Sequence, residues 1–388
     1  MNKWKTYKLG DLIDVKHGFA FKGEFFSDEP TEDILLTPGN FKIGGGFKTD
    51  KFKYYKGDYP KSYVLKEGDI LITMTDLSKA GDTLGYSAKI PKHNGINYLH
   101  NQRLGLVQFK SDDIDPDFLY WVLRTQPYQY YIVGSATGST VKHTSPTRIC
   151  SYEFSAPTDK GEQQQIAQIL SSLDDKIELL QQMNQTLENI AHAIFKEWFV
   201  DFNFPGFDGE LVDGLPKGWE MGKFEELTDI KTGKGLKRSE FKIDGKYPVV
   251  GANGELGKTD DYLLDDKFLL TGRVGTLGAV NISYGKKWYS DNVLIMKPYS
   301  YFYYAYFILR MIDMNSLNRG STQPLITQTD LKNYLSLIPD EDTLNLFEDV
   351  ISHLFEKVFR NKEQIQTLTQ TRDTLLPKLI SGQLEIKN

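Results

Sequence analysis

The chain has 388 residues, 40% hydrophobic and 25% charged, with a formal net charge of −6. That length suits two or three folded domains, and the composition is that of an ordinary folded chain. One cysteine, Cys150, excludes an intrachain disulfide framework or a zinc-finger ligand set. No run approaches the roughly 20 apolar residues of a bilayer span, and the polar start Met1-Asn2-Lys3-Trp4-Lys5 offers no signal-peptide core.

These features lead us to expect a cytoplasmic chain without membrane contact. Residues 1–157 carry a net charge of +2 and read as a first globular domain. Tyr63-Val64-Leu65, Ile70-Leu71-Ile72-Thr73 and Leu104-Gly105-Leu106-Val107 read as strands separated by Gly and Asp/Asn, and a helix is expected at about 117–125. Lysines are frequent here: Lys16 and Lys22 flank His17, and Lys42, Lys48, Lys51, Lys53, Lys56 and Lys61 stand among tyrosines.

After Pro157 the pattern changes. Residues 158–203 carry a net charge of −5, and Glu162 to Phe199 contains no Pro or Gly. Apolar residues at Ile166, Leu170, Leu173, Ile177, Leu180, Leu187, Ala191, Ile194 and Trp198 form a heptad seam with Asn184 as a polar interruption. A helix of about 38 residues, roughly 57 Å long, follows. Phe202 to Gly209, punctuated by Pro205 and Gly206, then reads as a linker.

Residues 204–340 repeat the first domain. Leu12, Asp14, Val15, Lys16, Gly18 and Lys22 recur as Leu227, Asp229, Ile230, Lys231, Gly233 and Lys237. Thr83-Leu84-Gly85 recurs as Thr276-Leu277-Gly278, Leu123-Arg124 as Leu309-Arg310, and Gly138-Ser139-Thr140 as Gly320-Ser321-Thr322. Order is kept throughout, so two whole domains of one kind are expected. Phe268-Leu269-Leu270 and Val293-Leu294-Ile295-Met296 read as strands, and 303–312 as a helix. Each copy is expected to be a compact α+β domain.

Residues 341–388 repeat the seam with Leu344, Phe347, Ile351, Leu354, Val358, Ile365, Leu368, Leu375 and Leu379, interrupted at Asn361 and Arg372. A single exposed seam is unstable alone, so the two helices are expected to pack on each other or on a partner; because each follows its own globular copy, an antiparallel coiled coil between the domains, acting as a spacer, is favoured. Asn184 and Asn361 are then either a buried hydrogen-bonded pair that sets the register or two solvated side chains.

Catalytic patterns are missing. No Pro-Pro pair supports an amino-methyltransferase loop, and no His-x-x-x-His pair or other metal-ligand spacing occurs. Gly257-Lys258-Thr259 imitates a phosphate-binding loop, but Ala252 stands where that motif needs glycine. No cofactor, metal site or catalytic residue is expected. Phosphate contact calls for Lys, Arg and small hydroxyls, and base reading for side chains with paired hydrogen-bonding groups. The candidates in the first copy are Lys16, Lys22, Asn101, Arg103, Ser139, Thr140 and Lys142. Those in the second are Lys231, Lys234, Lys237, Arg238, Arg273, Asn292, Ser321, Thr322 and Gln323. Trp198, Phe199 and Phe355 are left over as apolar contact points for a protein partner.

This layout resembles the specificity subunit of type I restriction–modification systems. Glu162-Gln163-Gln164-Gln165-Ile166-Ala167-Gln168-Ile169-Leu170 and Leu173-Asp174-Asp175-Lys176-Ile177-Glu178 resemble the start of that family's central helix, and Phe195-Lys196-Glu197-Trp198-Phe199 its end. Leu215-Pro216-Lys217-Gly218-Trp219 resembles the entry to the second recognition domain, and Leu375 to Gly382 the C-terminal ending. The resemblance implies two target recognition domains, each reading half of a split double-stranded DNA site. It also implies docking of two methyltransferase subunits that bind S-adenosylmethionine, and of ATP-dependent restriction subunits, with no chemistry in this chain. Because the copies differ outside their shared frame, the site is expected to be asymmetric. The acidic helices leave a rival reading, a coiled-coil protein–protein scaffold with no DNA role.

Overall fold

The computed structural model describes residues 4–78, 80–92, 95–138, 140–275 and 277–386. The chain divides into two compact units, residues 1–179 with 364–388 and residues 180–363. Each unit holds one globular domain and part of both long helices.

In the first unit, Trp4–Lys8 pairs antiparallel with Glu153–Pro157, Trp4 opposite Pro157, which ties the start of the domain to its end. A central antiparallel sheet runs in the order Ile13–His17, Leu104–Phe109, Ile70–Thr73, Ser87–Lys89. Strand alternation gives that sheet two apolar faces. Val15, Ile70, Ile72 and Val107 face Phe118, Trp121 and Ile132 of the helices Pro116–Val122 and Gln126–Gly134. Leu71, Ala88 and Leu104 face Ile34 and Tyr98 of a second sheet, in which Asp33–Leu35 and Asn97–Leu99 pair in parallel, and Leu36 just after it. The expected strand at Tyr63-Val64-Leu65 is instead a 3-10 turn, Lys61–Tyr63, followed by a single bridge from Val64 to Leu99.

The second unit repeats this layering. Glu220–Lys223 pairs with Leu335–Ile338, and the central sheet runs Thr228–Thr232, Val293–Pro298, Phe268–Gly272, Val280–Ser283. Leu269, Leu294 and Met296 pack on the helix Phe302–Met311, while Leu270, Val293 and Ile295 pack on Val250 and Tyr289 of a second sheet. Register is kept as well as order. Val15 opposes Val107 where Ile230 opposes Met296, and His17 opposes Gly105 where Thr232 opposes Leu294.

Two close approaches fix both frames. A Cβ on Gly18 would stand 2.2 Å from the Asn101 carbonyl oxygen, and one on Gly233 2.2 Å from that of Ser290. The chains meet there because the Phe19 amide donates to the His100 carbonyl and the Lys234 amide to that of Tyr289, each at 2.8 Å. Only glycine leaves room for such contact.

The long helices are Lys160–Phe199 and Glu341–Ile380, 40 residues each. They pack antiparallel within each unit. In the first, Ile166, Ala167 and Leu170 share a core with Leu379 and Ile380. In the second, Ala191, Phe195 and Phe199 share one with Leu344, Phe347 and Ile351. Asn361 Nδ2 donates to Asn184 Oδ1 at 2.8 Å, with both side chains buried, so the bonded pair is realised rather than two solvated amides. Pairing the two amides satisfies groups that would each cost about 1–3 kcal/mol if buried alone. The fold is thus α+β: two like domains and an antiparallel pair of long helices. Gly257-Lys258-Thr259 lies within the strand Gly254–Thr259, not in a loop before a helix, so its likeness to a phosphate-binding loop ends there.

Candidate nucleic-acid interface

One end of each central sheet gathers most of the charged and polar candidates. In the second domain, Thr228–Thr232 ends as Val293–Pro298 begins and Phe268–Gly272 ends. Three backbone bonds join the loops there. The Arg273 amide donates to the Asn292 carbonyl at 2.8 Å, the Ile326 amide to the Arg273 carbonyl at 2.9 Å, and the Gly275 amide to the Pro324 carbonyl at 3.0 Å. Asn318 Oδ1 accepts from the amides of Gly320 and Leu325, both at 2.9 Å, and so pins the turn that carries Ser321, Thr322 and Gln323. A Cβ on Gly320 would lie 1.8 Å from the Gln323 carbonyl oxygen, which makes that turn a glycine turn. Arg273, Asn292 and Ser321–Gln323 are thereby brought together, with Ser321, Thr322, Gln323 and Asn292 exposed.

Lys231 and Lys234 reach the same end from the first strand. Lys231 is exposed but faces Asp229 at 2.6 Å, and this bond, with the carboxylate charge, holds its ammonium above the usual lysine range. Trp288 Nε1 donates to the Lys234 carbonyl at 2.8 Å and fixes the backbone there. Lys237 and Arg238 follow at a short 3-10 turn, Arg238–Glu240, and both are exposed.

The first domain builds the matching end. Lys16 lies with its ammonium 4.8 Å from the centre of the Tyr63 ring. The Met74 amide donates to the Arg103 carbonyl at 2.9 Å, as the Arg273 amide does to Asn292. Arg103 therefore holds the place of Asn292, and Met74 that of Arg273. Lys142–His143 pairs with Thr75–Asp76, and Gly138 makes the same tight turn, its Cβ position 2.0 Å from the Val141 carbonyl oxygen. Arg103 and Thr140 are exposed and Lys142 half-buried. Asn101 is buried and its Oδ1 accepts the Arg103 amide at 3.0 Å, so it shapes the loop instead of facing outward. Lys22 is exposed beside Glu24, at 3.9 Å. Ser139 lies outside the described residues.

The three aromatic residues expected as spare contact points are not spare. Phe199 and Phe355 are buried, and Trp198 is half-buried against Phe199 and Phe347. The helix seam is wider than a two-helix coil because the globular domain packs on it too, and that extra face absorbs them. Among the described residues, Leu179, Ile190 and Leu346 are the large apolar side chains of the long helices left exposed.

Sequence reasoning noticed Arg124 only as a mark of the repeat. It is in fact a buried hub. Its Nη1 lies 2.5 Å from Asp174 Oδ2 and 2.9 Å from Tyr120 Oη, and its Nε donates to the Gly44 carbonyl at 3.0 Å. Arg372 bonds the other oxygen of Asp174. Burial alone would raise the Asp174 carboxyl, but the two guanidinium groups outweigh it and hold the group below its ordinary range. Closing an aromatic run does not mark burial, since Arg310 closes one too and is exposed, and the partner of Arg124 stands 50 residues away in another element.

Among the described residues there is no cluster of His, Cys, Asp and Glu fit for a metal ion, and no helix long and apolar enough to cross a membrane. The family model for the type I restriction modification DNA specificity domain matches residues 1–189 and 216–370. The chain belongs to that family. This specificity subunit is 28% identical to the type I restriction enzyme MjaIX specificity subunit of Methanocaldococcus jannaschii over 308 residues, 71% of each chain. It is 25% identical to the HindI specificity subunit of Haemophilus influenzae, covering 99% of this chain and all of that one. The crystal structure of a type I S subunit from M. genitalium shares the fold, with a TM-score of 0.60 and 18% identity over 99% of this chain and 97% of that one.

Proposed function

We propose that each globular domain of this specificity subunit reads one half of an asymmetric, bipartite double-stranded DNA site through the loop-bearing end of its central sheet. The long helices act as the spacer and as the dock for two S-adenosylmethionine-binding methyltransferase subunits and for ATP-dependent restriction subunits. The chain supplies the address and no catalytic group.

One observation carries this reading: the same backbone bonds support different side chains at matched places in the two domains. Exposed Arg103 in the first stands where exposed Asn292 stands in the second, and Met74, buried in the core, where the half-buried Arg273 stands, on equivalent amide–carbonyl bonds. Arg and Asn offer paired donors and acceptors to base edges, and Lys offers charge to phosphate. A shared frame with unlike readers suits two unlike half-sites, just as half-site spacing follows protein geometry in dimeric DNA binders. Leu179, Ile190 and Leu346 replace Trp198, Phe199 and Phe355 as candidate contacts for a partner protein.

The net charge of −6 means that the free subunit lacks a strong phosphate-binding field. We therefore expect it to bind site duplex weakly alone and tightly with its methyltransferase. Anisotropy titrations of both forms at one salt concentration test this, and equal specific affinity would refute it.

A further inference from the structure

One more arginine stands at the loop-bearing end of the second domain, immediately before the glycine turn that carries Ser321, Thr322 and Gln323. The Arg319 amide donates to the Leu325 carbonyl at 3.0 Å, which closes the base of that turn and fixes where the side chain leaves the backbone. The Arg319 side chain is 68% exposed, yet its Nη2 lies 2.5 Å from Oδ1 of Asp330, whose side chain is only 3% exposed. Ion pairs between two exposed groups are common and weak. Here the carboxylate is buried and is held by a second group as well.

Asp330 belongs to the short helix Gln328–Lys332 and closes its capping box. Its Oδ2 accepts the Thr327 amide at 2.9 Å and the Thr327 hydroxyl at 2.6 Å. Those bonds use one oxygen and leave the other for Arg319. Burial pushes the carboxyl up, but the Thr327 bonds and the guanidinium outweigh it and hold the group below its ordinary range. Among the described residues the Arg319 guanidinium has no other ion-pair partner, so most of its N–H groups stay open. The first domain lacks this pair. Thr137 makes the matching bond, its amide to the His143 carbonyl at 3.0 Å, and Arg148 stands where Asp330 does, on the helix capped by Ser145. Arg148 lies over the Tyr131 ring instead, 5.4 Å from its centre.

Resting on the reading that the second domain binds duplex DNA, we propose that Arg319 reads a guanine in the major groove and that Asp330 is its positioning residue. Guanine presents two adjacent acceptors there, O6 and N7, and the planar guanidinium fork matches them with two parallel bonds. Adenine replaces one acceptor with a donor, and thymine offers a single acceptor beside its methyl. Phosphate is the other partner that an arginine takes. The Asp330 carboxylate offsets the charge that a phosphate contact draws on, but it leaves the direction of the N–H groups that base reading draws on. Held along one edge, the side chain also loses less freedom on binding. The half-site read by the second domain therefore contains a guanine that depends on this pair, and the first domain contributes no matching reader.

The test uses the subunit assembled with its methyltransferase and the site found by methylome sequencing. Each guanine of the second half-site is replaced in turn by 7-deazaguanine, which deletes the N7 acceptor and keeps the base pair, and affinity is measured across a salt series. At one guanine the loss is expected to be about tenfold. In Arg319→Ala, guanine and 7-deazaguanine at that position should bind alike. Asp330→Asn keeps an oxygen for Thr327 but turns an amide donor toward the guanidinium, so the helix cap survives and the aim is lost. It should shrink the 7-deazaguanine effect at that one guanine, while affinity for duplex without the site does not fall. A merely structural role for Asp330 would weaken every duplex alike. A half-site without guanine, 7-deazaguanine without effect at every position, or full discrimination kept in either variant overturns the proposal. So does an Arg319→Ala variant that weakens all sequences equally with a shallower salt slope, as loss of a phosphate contact would. Failure of the complex to bind any duplex specifically would instead sink the underlying DNA reading.

Discussion

The two junctions between globular domain and long helices solve one problem with opposite chemistry. In the first, Arg124 is buried between Tyr120, Trp121 and Asp174, and Trp121 Nε1 donates to Ser171 at 2.9 Å. Gln163 adds three more bonds, accepting the Asp115 amide at 2.7 Å and donating to the Pro157 and Asp113 carbonyls at 2.8 and 3.2 Å. In the second, Arg310 keeps its bond to Tyr306 at 3.0 Å but is exposed. The helix position that matches Asp174 is Phe355, which packs on Tyr303 and Tyr306. Phe195, Phe199, Phe307 and Phe347 complete an aromatic cluster around it. A backbone frame can thus be kept while the side chains that attach it to a helix change from a buried ion pair to stacked rings. The same latitude at the reading end would let the two domains recognise different bases.

The difference predicts unlike responses to substitution. The largest belongs to the aromatic junction: Phe347→Ala should cost about 3–5 kcal/mol, read as a lower midpoint for the second unit in denaturant unfolding. Asp174→Ala comes next. It strands two guanidinium groups, one of them buried, and a loss of about 2–4 kcal/mol is expected in the first unit. If Asp174→Ala cost nothing, the hub would be ornamental and the contrast would fail. Asn184→Leu leaves the Asn361 amide buried without its partner and should cost about 1–3 kcal/mol. The double change Asn184→Leu with Asn361→Leu should recover that stability but lose a single register, visible as mixed oligomers on sizing.

The last effect is a pH dependence found in the second junction. Burial raises the Glu348 carboxyl to about 7, against bonds from backbone amides that include Tyr304 at 2.7 Å. A carboxyl raised in the folded state contributes stability below its unfolded value of 4.5 and loses it as pH climbs through about 7. Burial among the rings of Phe302 and Tyr303 lowers Lys267 to about 8, so its contribution runs the other way, lost as pH falls from 10.5 through 8. Glu348→Gln should flatten the stability of the second unit between pH 4.5 and 7. An unchanged slope would place the titration elsewhere.

Much of this architecture was legible in the sequence because it rests on periodicity and glycine. The heptad seam announced both helices, Asn184 and Asn361 stood out as its polar interruptions, and Gly18 with Gly233 marked the repeat. What escaped depended on distant partners. Nothing local distinguishes Arg124 from a surface arginine, because Asp174 and Gly44 meet it only in the fold. Phe199 and Phe355 looked spare because a two-helix seam was counted, whereas a third layer also packs there. Tyr63-Val64-Leu65 alternates like a strand, yet Pro60 and the Lys61–Tyr63 turn leave it a single bridge. Asn101 looked like a base reader and proved to be a loop brace, since its side-chain oxygen satisfies the Arg103 amide.

The central claim is that the two domains read separate halves of one site. The most direct test is the methylome of a host expressing the subunit with its methyltransferase, compared between the unaltered chain and a variant carrying Arg273→Ala and Asn292→Ala. We predict an asymmetric bipartite site in the first case. In the second, one half should turn degenerate while the other half and the spacer length stay as they were. A palindromic site, or a variant that blurs both halves equally, would contradict the account.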